Sequence, residues 1–150
     1  RAQEISKVMQ SALEPVIDLS LFPNSVVDIY IQLPQTDAGT RCAAISATSM
    51  ALAAAGIPMK DLISSVAVGQ VDKLVLADLT YNEEAYEEGP VSDIPIAMIN
   101  NTKEITLLQM DGEISSKDLS KSLEIAKVAC EKIYKVQKAA LLERFNGEQK

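Results

Sequence analysis

Histidine is absent from this 150-residue chain, which removes every imidazole-based scheme of catalysis or metal binding. Basic charge is scarce as well. There are 14 Lys and Arg against 21 Asp and Glu, a net charge of −7. A general nucleic-acid-binding surface needs clustered Lys and Arg, so that class is disfavoured, although a local basic site at an assembled interface is not. The two cysteines, Cys42 and Cys130, lie far apart in helical contexts. They read as small buried apolar residues in a reducing, cytoplasmic setting rather than as a disulfide or a zinc site. No signal peptide is visible. The longest apolar stretch, residues 43–57, is interrupted by Ser46, Thr48 and Ser49 and is too short to span a membrane. Gly-x-Ser-x-Gly, Walker and dinucleotide-binding motifs are missing too, and the serines have no His partner.

What remains is a chain of single-domain length with 47% hydrophobic residues, enough for a substantial core. It opens on Arg1-Ala2-Gln3-Glu4, already in helical pattern without an initiator Met or an N-cap, and is expected to be a piece of a longer protein. Ile5, Val8, Met9, Ala12, Leu13 and Val16 recur at helical spacing. Residues 26–33 alternate and are β-branched, which predicts a strand. Residues 41–55 predict an Ala-rich helix packed on several faces and closed by Gly56 and Pro58, with a further helical turn over 59–63. Strands are expected over 65–69, 73–79, 94–100 and 104–110, with hairpin turns at 69–72 and 100–103. An acidic loop is expected over 80–93. A long amphipathic helix over 116–144 is capped by Ser115 or Ser116, and residues 146–150 read as a frayed tail. The element order suits an α+β domain with a mixed sheet and helices against it.

The most informative segment is Asp37-Ala38-Gly39-Thr40-Arg41-Cys42-Ala43-Ala44. It places a flexible turn, a hydroxyl and a fixed cation just ahead of an apolar helix. Backbone N–H groups and the helix dipole favour an anion there. Gly39 allows close backbone approach, Thr40 can donate from its hydroxyl, and Arg41 offers a planar fork suited to phosphate oxygens. The same residues are also compatible with an ordinary capped turn and a surface arginine. The second candidate is the acidic loop with Glu83, Glu84, Glu87, Glu88 and Asp93. Paired carboxylates can position a divalent metal or act as a general acid toward a leaving oxygen, while such loops are also common as solvated connections. Asp93 stands apart, at the mouth of the apolar run Ile94-Pro95-Ile96-Ala97-Met98-Ile99, where a strand end would hold a carboxylate rigidly. Arg1 opens a helix against the preference of the dipole, as it would if it served an anion nearby. The methionines at 50, 59, 98 and 110 read as core rather than as cofactor ligands.

Several stretches together resemble a known family. Arg1-Ala2-Gln3-Glu4-Ile5-Ser6, Gln35-Thr36-Asp37-Ala38-Gly39-Thr40-Arg41, Ala54-Ala55-Gly56-Ile57-Pro58-Met59-Lys60-Asp61-Leu62-Ile63, Asp93-Ile94-Pro95-Ile96-Ala97-Met98 and Glu104-Ile105-Thr106-Leu107-Leu108-Gln109-Met110-Asp111-Gly112 occur in the order of the C-terminal two-thirds of RNase PH-family subunits. The likeness is greatest to the catalytic ring subunits of archaeal RNA exosomes. The resemblance implies residues 1–150 as a partial RNase PH-like domain whose N-terminal sheet lies outside this segment. It implies a processive, phosphate-dependent 3′→5′ exoribonuclease that releases nucleoside diphosphates and can run backwards to add 3′ tails. Gly39, Thr40 and Arg41 would hold the attacking inorganic phosphate, and Arg1 would contact phosphate or RNA. Asp93 would be one of two acidic active-site residues near the scissile bond and a magnesium ion. The family pattern has an aspartate six residues before that position. Here the residue is Glu87, and a longer loop leaves Glu84 as the alternative. With Glu87, Asp93 would form the metal pair. The implied partners are the 3′ end of single-stranded RNA, a related inactive subunit alternating in a six-membered ring, and RNA-binding cap subunits. The alternative function is a non-catalytic structural ring subunit. The segment alone is expected to fold and act poorly, because the missing sheet would expose an apolar face.

Overall fold

The computed structural model describes residues 2–147. The helical spacing near the start gives α1, Ala2–Leu13, followed by a 3-10 turn, Glu14–Val16. Its apolar stripe buries Met9, Ala12, Leu13 and Val16. Residues 26–33 form no strand. They run exposed and without a ladder, with Val26 83% and Tyr30 88% exposed. The expected strand fails there for a physical reason: β-propensity describes how a residue packs against neighbours, and a lone segment has none.

The second helix, α2, spans Thr40–Ala54 and closes on a Schellman turn, with the N–H of Ile57 on the carbonyl of Leu52 and that of Gly56 on Ala53. The helical turn expected over 59–63 is replaced by pairing. Met59 bridges to Ile17, the N–H of Lys60 bonds the Val16 carbonyl at 2.8 Å, and Ile63 opens a strand. Pro58 turns the chain out of helix just before this.

The strands are β1 (Ile63–Val71), β2 (Leu74–Ala77), β3 (Val91–Ile99), β4 (Ile105–Leu108) and β5 (Asp111–Gly112). The first hairpin turns at Asp72 and Lys73, later than expected, because β1 continues through Gly69 to Val71. Residues 80–90 are not wholly loop. Thr80 and Glu83 form a reciprocal capping box on a short helix, α3, Tyr81–Glu84. The last helix, α4, spans Ser116–Gly147 and is capped by Ser115, whose Oγ accepts from the Asp118 N–H at 3.1 Å. Residues 148–150 of the expected tail lie outside the described residues.

The sheet order is β2-β1-β3-β4, with β5 also on β3, and all of these pairings are antiparallel rather than mixed. Strand alternation sends Val66, Val68, Ile94, Ile96 and Met98 toward Ala126 and Cys130 of α4. The opposite face sends Ile63, Ala97 and Ile99 toward α1 and α2. Each fully buried Ile or Met is worth about 1.5–3 kcal/mol, so these two layers carry most of the fold's stability. Met98 is core as expected, but Met110 is 55% exposed, lying in the gap between β4 and β5. A polar pin ties α4 to both β1 and α2: the buried Gln137 amide donates to the carbonyls of Ser46 and Ile63, each at 3.0 Å.

Candidate functional site

The start of α2 keeps its outward-facing amides. Its N-cap is Gly39, in the left-handed region at φ +68°, and no side chain caps the helix. The cap is the Gly39 backbone alone, so no side chain occupies the first amides of α2. A Cβ at Gly39 would sit 3.8 Å from Asp78 Oδ1 and 3.9 Å from Ala67 Cβ, so the loop lies low over β1. Asp37 fastens this loop to the acidic segment. Its Oδ1 accepts from the backbone N–H of Tyr81 at 2.8 Å and of Ala38 at 3.0 Å.

Strand alternation explains why Asp93 faces this loop. Ile94, Ile96 and Met98 point to α4, so Asp93, Pro95 and Ala97 share the α2 side. One row across the sheet reads Gly69, Asp93, Asp111, and the next reads Ala67, Pro95, Gln109. Gly69 permits a close approach that no other residue would, since a Cβ there would lie 1.9 Å from the Ser92 carbonyl oxygen. The Asp93 Oδ1 atom is buried and has no hydrogen-bond partner.

The charges cohere around Arg41. Burial pushes the Asp93 carboxyl above the usual aspartate range. The Arg41 guanidinium pulls it back, and Asp111, directly opposite in the β3–β5 pair, adds to the rise. Burial also raises Glu84, helped by the charges of Asp93 and Asp37 and opposed by Arg41. Arg41, Glu84 and Asp93 are thus close enough to feel one another. Glu87 lies exposed between α3 and β3, while the charge of Glu84 is coupled to Asp93 and Arg41. Thr40 begins α2 beside Gly39 and is half-buried. Arg1 lies outside the described residues. A small cavity of about 40 Å³ separates α1 from α2, lined by Glu4, Ile5, Val8 and Arg41.

Gln109 and Asp111 are residues that the sequence does not mark out. The Arg41 Nη1 donates to Gln109 Oε1 at 2.5 Å, and Asp111 is aligned with Asp93. Their signal is positional only: both stand on the chain segment that pairs with β3. Burial pushes the thiols of Cys42 and Cys130 up to about 11 and about 12, so neither is a ready nucleophile. Among the described residues no group of three or more Cys, Asp or Glu is arranged to hold a metal ion, and no helix is long and apolar enough to cross a membrane.

A helix start without a side-chain cap and a half-buried strand carboxylate are set on an antiparallel sheet under a long helix, a framework that points to a class. Residues 1–58 match the family model of 3′ exoribonuclease family domain 1, and residues 61–129 match that of domain 2. The chain belongs to this RNase PH family. Among its relatives, the exosome complex component Rrp41 of Methanopyrus kandleri is 44% identical over 148 residues, covering 99% of this chain and 61% of that protein. The Rrp41 component of Methanosarcina mazei is 48% identical over 145 residues, 97% of this chain and 29% of that protein. The chain therefore spans less than two-thirds of these relatives. The crystal structure of rice Rrp46 shares the fold at a TM-score of 0.77 and 23% identity, covering 94% of this chain and 66% of that one.

Proposed function

We propose that this chain is part of a phosphate-dependent 3′→5′ exoribonuclease subunit of a cytoplasmic, exosome-like ring. The observation that carries the reading is the juxtaposition of Arg41, at the start of α2, with the half-buried carboxylates of Asp93 and Glu84. Inorganic phosphate is the nucleophile, held by the α2 amides, the Thr40 hydroxyl and the Arg41 fork. One phosphate oxygen forms a bond to the phosphorus of the last phosphodiester. The bond from that phosphorus to the preceding 3′ oxygen breaks, and a nucleoside diphosphate departs. The shortened RNA needs a proton on its 3′ oxygen, and a carboxyl raised by burial is suited to deliver it. The reverse sequence adds nucleotides and releases phosphate.

Asp93 fits a divalent cation, because its buried, unpartnered oxygen is the kind of acceptor that a cation satisfies. Magnesium needs only one or two carboxylates plus substrate phosphates, so Asp93 suffices, which leaves the raised Glu84 carboxyl to deliver that proton, and the ion would neutralise charge on the transferred phosphoryl group. On this reading Glu84, rather than Glu87, takes the second acidic role. The single-stranded 3′ end of RNA enters a ring shared with a related subunit, and RNA-binding cap subunits feed it.

The test uses the full-length chain assembled with its partner. RNA should disappear only when phosphate is present and should yield nucleoside diphosphates. RNA loss without phosphate, giving monophosphates, would overturn the reading. The second reading, a structural ring subunit, rests on a glutamate where the family pattern has an aspartate. It holds if Arg41→Glu and Asp93→Ala both leave turnover by the ring unchanged.

A further inference from the structure

We propose that Gln109 is a positioning residue that aims the Arg41 guanidinium while leaving its charge free for phosphate, an inference that rests on the phosphorolytic reading above. Gln109 stands in the gap between β4 and β5, after the register shift at Ala97 and Met98 on β3. Its own N–H bonds the Pro95 carbonyl at 3.1 Å, two residues beyond Asp93. Irregularities of this kind re-aim side chains, and here the result is Oε1 at 2.5 Å from Arg41 Nη1. The bond spans 68 residues of sequence and is half-buried.

The choice of partner matters. Glu84 and Asp93 both feel the charge of this arginine, yet the acceptor that holds it is an uncharged amide. The lysine–glutamate ion pairs within 4.0 Å on α4 do not involve Arg41. A carboxylate at this point would form a bidentate pair and compete with an incoming anion. A neutral amide takes one N–H, fixes the plane of the fork, and leaves four donors and the full charge. Asp93 and Arg41 are thereby held in register by one strand pair, since Gln109 is anchored next to Asp93 through Pro95.

The experiment measures steady-state phosphorolysis by the full-length ring with Gln109→Glu and Gln109→Met, and equilibrium binding of inorganic phosphate to each. Gln109→Glu should raise the KM for phosphate by about tenfold or more, the scale of losing a charge-assisted hydrogen bond to the anion. Gln109→Met, which keeps length but removes the acceptor, should raise it by about threefold. Both should leave kcat at saturating phosphate within about twofold, a KM-against-kcat split that general destabilisation would not give. An unchanged phosphate KM in either variant with an intact ring overturns the role of Gln109. If Gln109→Glu does not assemble, the Gln109→Met result decides alone. Phosphate-independent turnover by the unsubstituted ring overturns the phosphorolytic reading itself, a separate outcome.

Discussion

On the α4 side of the sheet, Val66, Val68, Ile94, Ile96 and Met98 meet Ala126 and Cys130 in an apolar layer pinned by the buried Gln137 amide. On the α2 side the same strands carry Ile63, Ala97 and Ile99, and then the apolar set ends at Asp93. The helix over the first face is 32 residues long, that over the second 15. The longer helix outlasts the 9-residue strands. The shorter one starts above the middle of β1, so its N-terminus and the exposed strand ends form a mouth. Charged residues gather there because the core has stopped, and the buried strands hold them still. Both faces carry core, and on the proposed reading the α2 face also carries the chemistry.

The largest effect that could break this comparison is on turnover. Asp93→Ala should lower phosphorolysis by the full-length ring about a thousandfold, in line with removing a transition-state contact. Assembly should persist, read by the size of the ring. A loss of assembly with preserved specific activity would assign Asp93 to the fold instead.

Next in size is the opposite face. Ile96 is fully buried against α4, and Ile96→Ala should cost about 2–5 kcal/mol of stability. Its KM for phosphate should not move. A shift in that KM would show that the two faces are not separable.

The third prediction sharpens the site itself. Glu84→Gln should lower turnover by about 10- to 100-fold, whereas Glu87→Gln should change it by less than about twofold. A reversed order would move the second acidic role to the exposed turn after α3.

Much of this contrast is legible in the amino-acid sequence. The continuous apolar run from Ile94 to Ile99 signals a buried strand, and the Gly39-Thr40-Arg41 turn marks a helix start that could take an anion or be an ordinary cap. Glu84 against Glu87 is not decidable there, because the choice depends on α3, and its signal, Thr80 three residues before Glu83, sits inside a run that reads as plain acidic loop. Gln109 and Asp111 gain meaning only through register: nothing in a glutamine or an aspartate says which strand residue it will oppose. Residues 26–33 show the converse error. Their pattern is that of a strand, but a pattern supplies no neighbour, and the segment stays exposed.

The smallest effect is on stability against pH, and its sign follows from Asp93. Burial and Asp111 outweigh the pull of Arg41, so the folded-state pKa is raised above the unfolded one. A raised carboxyl binds its proton more tightly in the folded chain. The folded state is therefore favoured at low pH, and that advantage is lost as pH rises through the raised value. At neutral pH the charged Asp93 is a net burden, partly screened because the group is only half-buried. Asp93→Asn removes the burden, so the variant should melt higher than the unsubstituted protein at pH 7, with protein concentration held fixed. The gap should shrink as pH falls through the raised range and close well below the unfolded value of about 3.9, where the carboxyl is protonated in both the folded and the unfolded chain. A gap that stays constant from neutral to acid pH would mean that the carboxylate carries no such burden. The electrostatic contrast between the mouth and the α4 face would then be absent.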